Sequence, residues 1–203
     1  MTNEKEKETQ LKQVEQVETA APLSLSNFDH AQRVAKALSS SDLIPQSYRG
    51  NIPNTLVALE IAQRIGASPL MVMQNLHVIH GRPSWSSSFI IAALNSCGRF
   101  SALKFISDGK SCKAVATELA TGEQIEGPTV TLEMATSEGW ATKAGSKWRT
   151  MPDLMLRYRA AAFFGRLYAP EILMGLQTQE EARDIASEAP KTSEGLNSAL
   201  SAE

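Results

Sequence analysis

"FSALKFISDGKSCKAVATELATGEQIEGPTVTLEMA", residues 100–135, is where the hydrophobic pattern changes its period. Before it, apolar residues recur every three to four positions; within it they alternate. Alternation places successive side chains on opposite faces of a strand. Three antiparallel strands are expected, "FSALKFIS", "SCKAVATEL" and "TVTLEMA", joined by turns at Asp108-Gly109 and Thr121-Gly122. The acids here, Asp108, Glu118, Glu123, Glu126 and Glu133, fall at turn and solvated strand positions.

Toward the N-terminus the period is helical. "NFDHAQRVAKALSSSD" (27–42) reads as a helix with Asn27 as its cap and Phe28, Ala31, Val34, Ala35 and Leu38 at helical spacing. "NIPNTLVALEIAQRIGASP" (51–69) gives a second, stopped by Gly66. "SPLMVMQNL" (68–76) starts a short third, with Ser68 as cap and Pro69 at the first helical position. "HVIHGRPSW" (77–85) reads as a tight hairpin turning at Gly81, and "SSFIIAALNSCG" (87–98) as a helix ended by Gly98. After the strands come a short helix in "MATSEGW", a loop "ATKAGSKW", and a long helix to Tyr168 stopped by Pro170. The predicted fold class is α+β: a three-stranded antiparallel meander plus a hairpin, flanked by helices.

Residues 1–26 and 186–203 are polar and poor in aromatic anchors, and disordered termini are expected there. The core is placed at 27–185. With 203 residues, the chain is long enough for a sizeable hydrophobic core. No apolar run is long enough to span a bilayer, and the N-terminus lacks the apolar stretch of a secretory signal. A cytoplasmic location is therefore expected. Cys97 and Cys112 are too few and too far apart for a disulfide framework or a zinc site, and reduced thiols are expected.

The net charge of -2 hides an asymmetry. Residues 19–170 hold fifteen bases against ten acids, whereas both ends are acidic. Between 140 and 170 there are six bases and one acid, Asp153. A basic body attracts polyanions. On a helical wheel, Leu156, Ala160, Phe163, Phe164 and Leu167 form one apolar stripe, with Arg159 and Arg166 along one flank and Arg157 on the other. Such arginines either pair with acids from elsewhere in the fold or bind phosphates. Lys143, Gly145, Ser146, Lys147 and Trp148, just before the helix, mix cations, flexible backbone and an aromatic, as sites for single-stranded nucleic acid do. At the hairpin, Arg82 and Trp85 stand beside four serines at 84 and 86–88, and Trp85 is either a core lid or a stacking platform. His77 and His80, three apart on an extended segment, face opposite ways and make no metal pair.

Enzyme signatures are mostly missing. "DGKS" at 108–111 contains the Gly-Lys-Ser of a phosphate loop, but Lys104 stands where that loop needs a glycine. GxSxG, HExxH and GxGxxG do not occur, and no close carboxylate cluster of the two-metal kind is apparent. No cofactor, metal or covalent chemistry is expected.

"TLVALEIAQRIGASPLMVMQNLHVIHGRPS", "IIAALNSCGRFSALKF" and "KWRTMPDLMLRYRAAAFFGRLYAPEILMGLQTQEEA" together resemble phage RecT proteins, the single-strand annealing recombinases. The resemblance covers roughly residues 50 to 184 in the family's order; the basic helix differs in reading Arg-Tyr-Arg where members often have adjacent cations. It implies ATP-independent annealing of complementary DNA strands by an oligomeric ring or filament, without enzymatic chemistry, during homologous recombination in a bacterial host cell. The implied partners are single-stranded DNA, the annealed duplex intermediate, further copies of the chain, a phage exonuclease and a host single-strand-binding protein, with no membrane. It also implies that Lys143, Lys147, Trp148, Arg157, Arg159 and Arg166, with Arg82 and Trp85, line a basic groove. The competing expectations are a sequence-neutral nucleic-acid-binding or protection module without annealing activity, and an oligomeric adaptor protein.

Overall fold

A computed structural model describes residues 25–79 and 81–185, and side chains within 28–184. The described residues form two compact units, one up to Gln74 and one from Asn75. Of the terminal segments expected to be disordered, residues 1–24 and 186–203 lie outside the described residues, as does His80, whereas Leu25 and Ser26 are helical.

The first unit is helical: α1 (Leu25–Ser39), α2 (Ile52–Ile65) and α3 (Pro69–Asn75). Helix α1 is already formed at Leu25, two residues before Asn27, so Asn27 is not its cap. Helix α2 packs on α1 and is capped by Asn51, whose side chain accepts from the Asn54 amide at 3.0 Å. Its other end closes at Gly66, whose left-handed backbone (φ 65°) returns the amide to the Ala62 and Gln63 carbonyls. Tyr48, Ala35, Ala58 and Ile61 are buried, and burial pushes the Tyr48 phenol up to about 12.

In the second unit, β1 (Leu76–Ile79) and β2 (Arg82–Trp85) form the expected hairpin, pairing Leu76 with Trp85 and Ile79 with Arg82. Helix α4 (Ser87–Ser96) follows, capped by the Ser86 hydroxyl. The larger sheet has the order β3 (Lys104–Ser107), β4 (Ser111–Thr117), β5 (Gln124–Glu126), with β6 (Val130–Thr131) also pairing with β4. Most of the expected third strand is therefore not a strand. Within "TVTLEMA", Val130 and Thr131 extend, and Leu132–Ser137 forms α5 because the Thr131 hydroxyl caps it by accepting from the Met134 amide. The strand paired beyond β4 is instead Gln124–Glu126.

The long helix comes in two pieces. Helix α6 (Lys147–Thr150) ends at Met151, and α7 (Pro152–Tyr168) restarts with Pro152 in its first turn. Helix α7 lies across β4 and against α4. Its small residues Ala160, Ala161, Ala162 and Gly165 allow that approach; a Cβ on Gly165 would meet Leu94 and Leu173 side chains at 3.2 Å. Buried positions occur right around α7 instead of along one stripe: Met155, Leu156, Arg159, Ala160, Ala161, Ala162, Phe164 and Gly165. A helix buried on all sides is covered by more than a sheet. The extra cover comes through α8 (Pro170–Leu173), β7 (Gln177–Thr178) and α9 (Gln179–Ile185). Strand β7 adds in parallel to β2, and α9 packs on the β1–β2–β7 sheet. Among the described residues no single helix is long and apolar enough to cross a membrane; the bent pair α2–α3 passes only across a 114° break.

Candidate nucleic-acid interface

Helix α7 presents Arg159 and Arg166 on one side, as the spacing predicts, but α9 meets that side with acids. Arg159 is 5% exposed, and its guanidinium donates to Asp184 Oδ2, with Glu181 Oε1 at 3.7 Å. Its charged carbon sits 3.8 Å from the centre of the Trp140 ring and 5.7 Å from that of Trp148. Trp148 is 3% exposed and donates its indole N–H to the same Asp184 oxygen at 3.2 Å. Arg166 spans both oxygens of Glu181 at 2.9 and 2.7 Å.

Glu181 is held from behind. Its Oε2 accepts from the Thr178 amide and hydroxyl, while the Thr178 hydroxyl accepts from the Glu181 amide at 3.0 Å. This is a capping box at the start of α9, written in the sequence as "TQEE". Burial is the leading influence on both members of the central pair. It lowers the Arg159 pKa against the opposing pull of Glu181 and Asp184, and raises that of Asp184 against the Trp148 indole, Arg159 and Lys143.

The structure therefore corrects the placement of three residues read as groove contacts. Arg159 and Trp148 are enclosed in this clasp. Trp85 is fully buried, stacked on Phe89 at 4.4 Å and donating to the Leu173 carbonyl at 3.3 Å, so it is a core lid. Arg166 and Arg157 reach the surface but are matched by acids, Arg157 by Asp153 one turn earlier at 3.1 Å. Arg82, at the start of β2, is exposed.

Among the cations without an ion pair, four lie near one another elsewhere in the second unit. Lys143 lies in the loop after α5, and Lys147 and Arg149 on α6; Lys147 and Arg149 are exposed. Arg183 on α9 joins Lys143 and Lys147 in lining a cavity of about 180 Å³. The Lys143 ammonium is shut off from solvent, with no hydrogen-bond partner. The cavity is built by local chemistry: the Ser146 hydroxyl donates to the Trp140 carbonyl at 2.6 Å and caps α6. Trp148, held by Asp184, forms one wall.

Arg149 was legible as a base in "KWRT" but not as a surface cation, and nothing local to Arg183 announces its position. Among the described residues no group of His, Cys, Asp and Glu is arranged to hold a metal ion.

No protein-family model and no curated protein matches this chain. The site rests on its own geometry.

Sequence-neutral anion binding is within reach of that geometry. Cations on a short helix and a glycine-containing loop meet phosphate oxygens without reading base edges.

Proposed function

We propose that this chain binds single-stranded DNA through its phosphates and anneals complementary strands without ATP, acting as an oligomer. The observation that carries the reading is that Lys143, Lys147 and Arg183 line one cavity without matching ion pairs, with Arg149 exposed on the same short helix as Lys147, while the arginines of α7 are met by acids. Phosphate contacts leave base edges exposed to a partner strand, which annealing requires. Weak binding by each copy becomes strong when several copies share one strand. The resemblance of "GRPS", of the Gly-ended helix, and of the tryptophan before a proline-terminated basic helix to the RecT pattern supports the annealing step in particular.

The test mixes two complementary oligonucleotides, one pre-bound to the protein, and follows pairing by fluorescence quenching as salt is raised. Pairing faster than that of free strands, weakening steeply with salt, is expected. Salt-sensitive binding without faster pairing reduces the function to a protection module. Absence of salt-sensitive binding overturns the reading altogether.

A further inference from the structure

We infer that the cavity walled by Lys143, Gly145, Ser146, Lys147, Trp148 and Arg183 is a seat for one phosphate group, with Lys143 as its innermost contact. Burying an ammonium group without an acceptor costs several kcal/mol in a low-dielectric site, so a fold that keeps one there needs a partner for it. No protein atom accepts a hydrogen bond from it, and its electrostatic neighbour in the wall is Asp184. The two acids in the wall are already engaged: Asp184 by Trp148 and Arg159, and Glu180 through Oε2 by the Ser87 hydroxyl at 2.6 Å. Three cations thus face a space of about 180 Å³ that leaves ample room beyond a single water. A phosphate oxygen placed against Lys143 leaves further oxygens for Lys147 and Arg183, whose charges the two acids only partly offset.

The seat deepens the strand-binding reading and rests on it only for the source of the phosphate. Among the surface cations it would be a recessed anchor, fixing where the strand sits on each copy. The same chemistry fits free inorganic phosphate.

The experiment measures Tm for the whole chain in sodium phosphate and in sodium chloride at equal ionic strength. The parent should gain about 3–6 °C when phosphate stands tenfold above its Kd. Lys143→Met keeps the stem and removes the charge, and should lose the phosphate-specific gain while being no less stable in chloride. Lys147→Gln, altered at an exposed position, should show a smaller gain and covers the case in which the first variant does not fold. An equal gain in parent and both variants, or none in the parent, overturns the seat and leaves the space to water.

Saturating oligo-dT separates the sources: it abolishes the phosphate gain if a strand phosphate fills the seat, and preserves it if free phosphate is the guest. Anisotropy of the same labelled oligo-dT separates the two readings. Salt-sensitive binding with no phosphate gain sinks the seat alone. A phosphate gain without oligonucleotide binding sinks the strand reading and keeps the seat.

Discussion

Helix α7, in its seam with α9, and the 143–149 segment are neighbours in sequence and carry three bases each, yet they spend their charge differently. In the seam, Arg159 and Arg166 face Asp184 and Glu181, and Arg159 is buried against the Trp140 ring. In the segment, Lys147 and Arg149 are exposed and make no ion pair. A guanidinium taken out of water must be matched, because a lone buried charge is costly; an exposed ammonium need not be. Counting bases along a chain therefore overstates the charge offered to a ligand. The chain's cationic surface is what remains after the fold has neutralised its own interior.

The sharpest way to break this comparison is to cut the clasp. Arg159→Gln leaves the buried Asp184 without its ion pair, with the Trp148 indole and the more distant charge of Lys143, and should destabilise the protein by about 3–5 kcal/mol in denaturant titration. Any of it that folds should keep the parent's salt dependence of DNA binding. A variant as stable as the parent but weaker on DNA would show that Arg159 belongs to the ligand after all. Gly165→Ala tests the packing that lets α7 sit so deep. Its Cβ would press on Leu94 and Leu173 at 3.2 Å, with an expected loss of about 1–3 kcal/mol by thermal or chemical unfolding.

The other side of the comparison predicts the opposite signature. Lys147→Gln and Arg149→Gln should each change stability by no more than about 0.5 kcal/mol. Each should lower the slope of log affinity against log salt by about 0.7 on single strands. An unchanged slope for both would move the interface away from α6. The smallest effect lies at the β3–β4 turn. The Asp108 carboxylate accepts from the Lys110 and Ser111 amides and the Ser111 hydroxyl, which hold its pKa below the ordinary value. A depressed folded pKa gives stability present above the unfolded pKa and lost as the pH falls through the folded one. A carboxyl NMR titration should find Asp108 below ordinary aspartates, and Asp108→Asn should remove its small contribution to acid sensitivity.

Much of the fold was legible because its signals are local. Gly66 ends α2, Gly81 turns the hairpin, and alternation marks β3 and β4. The three-stranded antiparallel meander forms as expected, but its third strand lies at Gln124–Glu126, because the alternation in "TVTLEMA" lost to the Thr131 cap, which starts a helix. The site was less legible because its partners are distant. Asp184 lies 25 residues from Arg159, so no spacing rule links them. The Arg157–Asp153 pair, at one helical turn, was within reach of such a rule. "TQEE" did carry a signal: a capping box fixes where α9 begins and turns Glu181 back toward its own cap. It says nothing of the arginine Glu181 would meet.

Strand β7 and helix α9 also set the order in which the second unit is completed. Trp85 donates to a carbonyl 88 residues later, and Ser87 to a carboxylate 93 residues later. Closing loops of that length costs entropy before any contact repays it, which slows folding. On a ribosome the hairpin and α4 emerge long before their partners. Until α8 is made the indole of Trp85, and until α9 is made the hydroxyl of Ser87 and the guanidinium of Arg159, wait without the groups that will hold them. The last described helix to be synthesised is the one that closes the core.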